Sequence, residues 1–181
     1  MPHDFAAWMP TEDLLTTDEL MTILEVGIEA GIDEVRLTGG EPLLRKNLEI
    51  LIGQLAALRT LKGNALDLTL TTNGSLLAKK AQALRDAGLK RITVSLDSMD
   101  DTVFKAMNDV DFPVAKVIEG IDVAAAAGFD PIKINMVVKR GLNEDSILPM
   151  ARFFRERGHI LRFIEFMDVG ATNGWRLDDV V

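Results

Sequence analysis

The feature that most constrains this fold is a regular alternation of short strand-like segments with longer segments of helical period. We place the strand-like segments at residues 34–37, 67–71, 91–96, 132–138 and 161–166, and apolar and polar residues alternate in the second and third and at the start of the fourth. The segments between them carry apolar residues three or four positions apart, which is the pattern of an amphipathic helix. This βα order predicts parallel strands joined by right-handed crossovers, and therefore an α/β fold.

The predicted helices have recognisable boundaries. Thr16 and Glu19 form a capping box at the start of the first helix, and Gly31 is placed to end it. The remaining helices are predicted at residues 48–58, 77–87, 100–107, 114–127 and 145–156. The pattern therefore begins on a helix and stops after a strand.

One face of the predicted strands is polar. Because helices must cover the apolar face, the polar side chains point to the other side of the sheet. These side chains belong to Arg36, Thr38, Thr69, Thr71, Asn73, Thr93, Ser95, Asp97, Lys133 and Asn135. A closely packed barrel would carry Val, Ile and Leu at such positions. We therefore predict a wide or ligand-filled interior; an antiparallel sheet with one solvated face is the alternative.

Ligands are expected at the carboxyl ends of the strands, as in other parallel α/β folds. Polar residues and glycines occupy these ends, in the runs Thr38-Gly39-Gly40-Glu41-Pro42, Thr71-Thr72-Asn73-Gly74, Ser95-Leu96-Asp97 and Glu165-Phe166-Met167-Asp168. Glycines permit close approach to the backbone, and the Glu41 carboxylate can accept hydrogen bonds from a ligand ammonium group.

Three basic residues lie within strands, namely Arg36, Lys133 and Arg162. Such residues are commonly salt-bridged or on an edge strand. Arg36 and Lys133 nevertheless share the polar face, and cations that converge in one cavity suit a phosphate or carboxylate. Arg162 and Glu165 have opposite parity, so both can face inward only if the strand has a bulge or a register change.

Composition excludes several classes of protein. A chain of 181 residues fits one domain, and the absence of cysteine excludes disulfides, thiolate metal sites and cysteine nucleophiles. The net charge of −8 argues against broad nucleic-acid binding. No stretch approaches the about 18 apolar residues of a membrane span, and the first residues lack the features of a signal peptide. A cytoplasmic location without membrane partners is therefore expected.

Several collinear runs resemble one family. Thr38-Gly39-Gly40-Glu41-Pro42 is similar to the turn that binds S-adenosylmethionine (SAM) in radical SAM enzymes. Two further runs narrow the resemblance to one family of these enzymes, namely Thr71-Thr72-Asn73-Gly74 and Arg162-Phe163-Ile164-Glu165-Phe166-Met167. A third run extends it along the chain, namely Arg140-Gly141-Leu142-Asn143-Glu144-Asp145. Together these runs resemble the GTP 3′,8-cyclase family of radical SAM enzymes, over almost the whole chain and in the family's order.

The resemblance implies a partial (β/α)6 TIM-like barrel and a lyase of molybdenum cofactor biosynthesis. Such an enzyme cleaves SAM reductively, and the resulting 5′-deoxyadenosyl radical converts GTP to (8S)-3′,8-cyclo-7,8-dihydroguanosine 5′-triphosphate. By resemblance, the SAM-binding residues are Gly39, Gly40, Glu41, Ser95, Asn135 and Met167. The GTP-binding residues are Arg36, Thr71, Asn73, Lys133 and Arg162, which position the substrate. Asp97 is a further contact, assigned more loosely.

The chain departs from this family at the iron–sulfur clusters. The family places a Cys-x3-Cys-x2-Cys loop after its first strand, a Met-Pro pair follows, and this sequence begins with Met1-Pro2. Residues 1–181 are therefore expected to form a truncated radical SAM core, without the first strand and the C-terminal cluster-binding domain. Because thiolates hold [4Fe–4S] clusters, clusters are expected only in a full-length protein, and this chain should be inactive. The exposed strand edge suggests a homodimer as a further hypothesis.

Two other hypotheses stay open. The chain can instead be a cluster-less regulatory module that keeps a SAM or nucleotide site. It can also be an ordinary βα-barrel aldolase that uses Lys133 as a Schiff-base amine.

Overall fold

The computed structural model describes residues 13–108, 111–169 and 174–181, and the Met1-Pro2 pair lies outside these ranges. The strands are β1 (Glu34–Leu37), β2 (Asp67–Thr72), β3 (Arg91–Ser95), β4 (Lys133–Val138) and β5 (Ile160–Glu165). The helices are α1 (Thr17–Glu29), α2 (Leu48–Ala57), α3 (Leu77–Asp86), α4 (Asp101–Asn108), α5 (Val114–Ala126) and α6 (Ile147–Glu156). None of the helices in the described ranges is long and apolar enough to cross a membrane.

The strands form one parallel sheet in the order β1-β2-β3-β4-β5. Each strand is joined to its neighbour through at least one helix, so every connection is a crossover. The α/β prediction is confirmed, and the antiparallel alternative is wrong. Within the described part of the chain β1 and β5 are the two edges of the sheet.

The helices cover the apolar face of the sheet, as the alternating pattern predicted. Alternate residues of the central strands, such as Leu70, Val94 and Ile134, are fully buried and form one cluster with helix residues such as Leu55 and Val117. Each fully buried side chain of this size contributes about 1.5–3 kcal/mol relative to an exposed one. The apolar face therefore anchors the sheet on the helices.

The capping residues before α1 and the glycine after β2 adopt the geometry that their sequence positions require. The amide of Glu19 donates to the Thr16 hydroxyl at 3.2 Å, and the amide of Thr16 donates to the Glu19 carboxylate at 2.8 Å, so the capping box is confirmed. Gly74 has a φ of +79°, and a Cβ atom built there would lie 2.9 Å from the Val117 side chain. The turn after β2 therefore requires glycine in order to pack against α5.

The imidazole of His159 is buried at the start of β5, at the end of the sheet remote from the predicted site. Burial lowers the pKa of His159, although Asp130, whose Oδ1 lies 3.8 Å from Nδ1, opposes the shift. A lowered pKa in the folded state means that, as the pH falls, His159 binds a proton at a higher pH in the unfolded chain than in the folded chain. Folding stability should therefore decline as the pH falls below about 6.5, the ordinary histidine value, and through the pKa of the folded state.

His159→Phe should remove this pH dependence, because phenylalanine keeps an aromatic ring in the same space and does not titrate. The measurement is the free energy of unfolding in urea between pH 8 and pH 5 for both proteins. We expect the wild-type protein to lose stability relative to the variant as the pH falls. Parallel curves for the two proteins would contradict the prediction.

Candidate functional site

The parallel register arranges the polar side chains of the sheet in rows. A middle row consists of Thr71, Thr93 and Lys133, and the next row toward the carboxyl ends consists of Ser95, Asn135 and Arg162. A third row, toward the amino ends, consists of Arg36, Thr69 and Arg91. The structure therefore brings most of the strand residues of the predicted site onto two adjacent rows, with Arg36 one row away.

Two cations of these rows form no ion pair with another described residue. Within the described ranges, no Asp or Glu oxygen lies within 4.0 Å of the Lys133 amine or the Arg162 guanidinium, and both side chains are half-buried. Arg162 Nε donates to Asn135 Oδ1 at 3.0 Å, which orients the guanidinium along its row. Such half-buried cations with no counter-ion attract an anionic ligand.

The β4–β5 ladder settles which residue of β5 faces inward. Its register is continuous from the pair Asn135 and Arg162 to the pair Val138 and Glu165. Arg162 therefore lies on the polar face without a bulge, and Glu165 has the parity of the opposite face. The alternative in which both residues face inward is wrong.

Arg36 has a different environment from the other two cations. Its Nη2 lies 3.1 Å from Glu34 Oε1, and Arg91 Nη2 lies 3.7 Å from the same oxygen. Arg91 also forms a salt bridge with Asp67, so two cations and two carboxylates compensate one another at the amino ends of the strands. Glu34 was missed in the sequence, although residues two apart on a strand share a face and the pairing could have been inferred.

The turn after β1 is joined to the end of β2 by the Glu41 carboxylate. Oε1 accepts hydrogen bonds from the Leu43 amide at 2.9 Å and the Thr72 hydroxyl at 2.7 Å, and Oε2 accepts from the Asn73 amide at 2.7 Å. Gly39 has a φ of +136° with open space around it, a conformation that side chains rarely adopt. The Gly39-Gly40-Glu41 turn is therefore fixed by its own glutamate, and its backbone is open to a ligand.

The end of β2 completes this arrangement. Thr72 is buried, donates to Glu41 and accepts from the Gly74 amide at 3.0 Å. Asn73 is exposed, and its Oδ1 accepts from the Ser75 amide at 2.9 Å. Sequence reasoning missed Thr72, because strand parity places it on the apolar face and no local signal marks its hydroxyl.

A groove of about 950 Å³ adjoins this turn and runs along β1 beside α1. Arg36, Thr38, Gly40 and Glu41 line its polar side, and apolar residues of α1 such as Leu20 line the other. Its volume lies at the upper end of what small-molecule sites occupy. The groove therefore brings Arg36, a predicted GTP-binding residue of β1, together with Gly40 and Glu41, predicted SAM-binding residues of the turn after β1.

Asp97, just beyond β3, is a buried carboxyl. Burial raises the pKa of Asp97 to about 6, against the opposing effect of the Val137 amide, which donates to Oδ1 at 2.8 Å. Asn143 donates to the backbone carbonyl of Asp97 at 2.8 Å. Raised carboxyl pKa values are found at ligand sites more often than elsewhere, and a ligand contact of Asp97 stays a prediction.

Residues after β5 lie at the same edge of the sheet. Met167 is two residues beyond β5 and is largely exposed. The indole of Trp175 donates to the Phe166 carbonyl at 2.9 Å, and Lys139 Nζ lies 4.6 Å from the centre of the Phe166 ring and 3.4 Å from Asp179. The segment 174–181 therefore packs against the carboxyl ends of β4 and β5, close to Met167.

Comparison with known proteins identifies relatives of the chain. Residues 3–154 match the model of the radical SAM superfamily. The chain is 51% identical to a GTP 3′,8-cyclase from Acidothermus cellulolyticus, over 96% of this chain and 47% of the relative. It is 49% identical to a GTP 3′,8-cyclase from Xanthomonas campestris pv. campestris, over 100% of this chain and 52% of the relative. The chain thus spans about half the length of the curated relatives it matches.

Solved structures show the same fold at low sequence identity. The structure of anSMEcpe with bound AdoMet and a peptide has a TM-score of 0.72 at 17% identity, over 93% of this chain and 48% of that one. The radical SAM enzyme coproporphyrinogen III oxidase from Escherichia coli has a TM-score of 0.59 at 14% identity, over 91% of this chain and 42% of that one. The sheet, the strand-end residues and these matches lead to one conclusion: the chain belongs to the radical SAM superfamily.

Proposed function

We propose that this chain is the ligand-binding core of a GTP 3′,8-cyclase, a lyase of molybdenum cofactor biosynthesis that binds SAM and GTP. The observation that carries the proposal is the pair Lys133 and Arg162, which lie in adjacent rows of the polar face with no carboxylate in the described ranges within 4.0 Å. A triphosphate carries several negative charges and suits such a pair. The similarity to GTP 3′,8-cyclases supports GTP as the nucleotide.

The rows of the sheet suggest how the two ligands share the site. SAM would occupy the strand ends, where the Gly39-Gly40 backbone is open and Ser95 and Asn135 lie side by side. GTP would lie deeper along the polar face, with its phosphates beside Lys133 and toward Arg162, which borders the two ligands in the row of Ser95 and Asn135. Arg36 would contribute less charge, because Glu34 already compensates it.

The residues of this chain do not fit an iron–sulfur cluster. Cysteine thiolates hold such clusters, and the sequence has no cysteine. Within residues 13–108, 111–169 and 174–181, no group of three or more His, Asp or Glu residues could hold a metal ion. We therefore assign no radical step to these 181 residues and propose that by themselves they are inactive as a cyclase.

The nucleotide site is tested by titration of GTP into the purified chain at low ionic strength. Lys133→Met and Arg162→Met should each weaken GTP binding about tenfold, or about 1.4 kcal/mol, because each removes one cation that faces the phosphates. Added salt should weaken binding to the wild-type protein more than to either variant.

The matched control is Lys79→Met, because Lys79 is an exposed lysine of α3 outside the site. This variant should bind GTP as the wild-type protein does. Equal losses in all three variants would show that net charge alone attracts GTP, and the proposed site would then be wrong.

The absence of cysteine favours a second candidate function, a cluster-less regulatory module that binds SAM or a nucleotide. The two candidates differ in the expected SAM affinity. A cyclase core that lacks the cluster should bind SAM weakly, whereas a module that senses SAM should bind it tightly without any metal. Calorimetry with SAM therefore separates them. The aldolase hypothesis is not carried forward, because the match to the radical SAM superfamily includes Lys133.

A further inference from the structure

A buried asparagine outside the predicted site joins the ends of β3 and β4. Asn143 lies in the loop after β4, and only 1% of its surface is exposed. Its Nδ2 donates to the carbonyls of Asp97 and Val137, each at 2.8 Å, and its Oδ1 accepts from the Lys139 amide at 2.8 Å. Both amide hydrogens and the amide oxygen are therefore used inside the protein.

The contacts of Asn143 close a ring of three residues. Asn143 donates to Asp97 and to Val137, and the Val137 amide donates to the Asp97 carboxylate at 2.8 Å. Each member is thus hydrogen-bonded to the other two. Because Asn143 and Asp97 are both buried, loss of either one leaves buried polar groups without partners.

The ring lies immediately beyond the row that carries the predicted ligand contacts. Asp97 follows Ser95 by two residues on the same face, and Val137 follows Asn135 in the same way. The Leu96 amide donates to the Asn135 carbonyl at 2.9 Å, and beyond that backbone bond the hydrogen bonds of the ring connect the two strands. Beyond this backbone bond, the ends of β3 and β4 next to Ser95 and Asn135 are therefore held together by a side chain of the loop after β4.

We propose that Asn143 is a positioning residue that holds the ends of β3 and β4 in the geometry needed for ligand binding by Ser95, Asn135 and Arg162. Asn143 touches no ligand itself, and its effect on Arg162 passes through Asn135, which accepts from that guanidinium at 3.0 Å. The proposal rests on the proposed function, because it assumes that the polar face binds GTP and SAM.

The test is an NMR titration of the full chain with GTP and, separately, with SAM. In Asn143→Ala, the Val137 amide proton should move upfield, because its carboxylate acceptor is no longer held in place. The affinity for each ligand should fall about tenfold. Ser146→Ala is the matched control, since it removes another hydrogen bond between this loop and the end of β3, from the Ser146 hydroxyl to Ser98 at 2.9 Å. It keeps the backbone bond from the Ser146 amide to the Asn143 carbonyl at 2.9 Å, so the ring stays intact. This control should leave the Val137 signal and both affinities unchanged.

The outcomes separate the two proposals. If the wild-type chain binds neither ligand, the proposed function fails, and the positioning role for ligands fails with it; the Val137 signal then reports only on the ring. If the wild-type chain binds and Asn143→Ala binds equally well, the positioning role alone is overturned. Should the alanine variant not fold, Asn143→Asp at pH 5 provides the same readouts, because it keeps the acceptor for Lys139 but supplies at most one donor.

Discussion

Asp97→Asn is expected to stabilise the folded chain by about 3 kcal/mol at pH 7. Burial raises the pKa of Asp97 from 3.8 to about 6, so at neutral pH the folded state carries a charge that its surroundings disfavour. Each unit of pKa difference corresponds to about 1.4 kcal/mol, which gives the expected gain. An asparagine keeps an oxygen for the Val137 amide, which now donates to Asp97 at 2.8 Å, and it never ionises.

The pH dependence of this gain has a definite sign. Between about pH 4 and pH 6 the folded chain holds a proton on Asp97 that the unfolded chain has released, so wild-type stability declines as the pH rises through this window. Above this window Asp97 is ionised in both states, and the folded state bears the full free-energy cost of the buried charge. The stability difference between variant and wild type should therefore be small at pH 4 and should reach about 3 kcal/mol at pH 7.

Urea unfolding of both proteins at several pH values measures this difference. Asp33→Asn is the control, because Asp33 is an exposed carboxylate just before β1. A constant difference from pH 4 to pH 7 would contradict a raised pKa for Asp97.

We also expect the stabilised variant to bind its ligands less well, since ionised groups kept at a cost in stability are characteristic of functional sites.

The fold could be predicted from the sequence because local patterns coincide with the tertiary structure. The strand predicted at residues 34–37 is found at Glu34–Leu37, and the one predicted at 161–166 is found one residue earlier, at Ile160–Glu165. Alternation determines which strand face is apolar, and the helices then have one face to cover. Strand ends and face assignments follow from this without any knowledge of distant contacts.

The structural roles of several residues in and beside the site could not be predicted, because they depend on contacts between distant parts of the chain. Asn143 reaches Asp97 across 46 positions, and Glu41 reaches Thr72 across 31 positions. Nothing in the local pattern of either partner indicates these bonds. The raised pKa of Asp97 has the same origin, since burial depends on how the β3 and β4 ends pack together.

Glu41→Ala is expected to destabilise the fold by about 3 kcal/mol. The substitution leaves the Leu43 amide, the Thr72 hydroxyl and the Asn73 amide without their carboxylate acceptor. A hydrogen bond to a charged group contributes about 1.5–3 kcal/mol, and water can replace part of this at a half-buried site. Glu41→Gln should lose about half as much, because its single oxygen cannot serve donors on both sides and its NH₂ group must face one of them.

A double-mutant cycle isolates the bond between the β1 turn and β2. Thr72→Val removes the hydroxyl at nearly constant shape, and the unfolding free energies of the two single variants and the double variant give the coupling. We expect a coupling of about 1–2 kcal/mol, because the bond is short and its acceptor is charged. Glu25→Ala, an exposed substitution on α1, should have almost no effect. Additive losses for Glu41 and Thr72 would contradict this link.

The same variants bear on the prediction that Glu41 binds the SAM ammonium group. An ionised carboxylate has about four acceptor positions, and three donors of the protein already use this one, so room remains for one ligand donor. If Glu41 only fixes the turn, Thr72→Val and Glu41→Gln should weaken SAM binding in proportion to their losses of stability. If Glu41 also contacts the ammonium group, Glu41→Gln should weaken binding beyond that proportion, since it removes the charge. SAM affinity measured for both variants by the same titration decides between these roles.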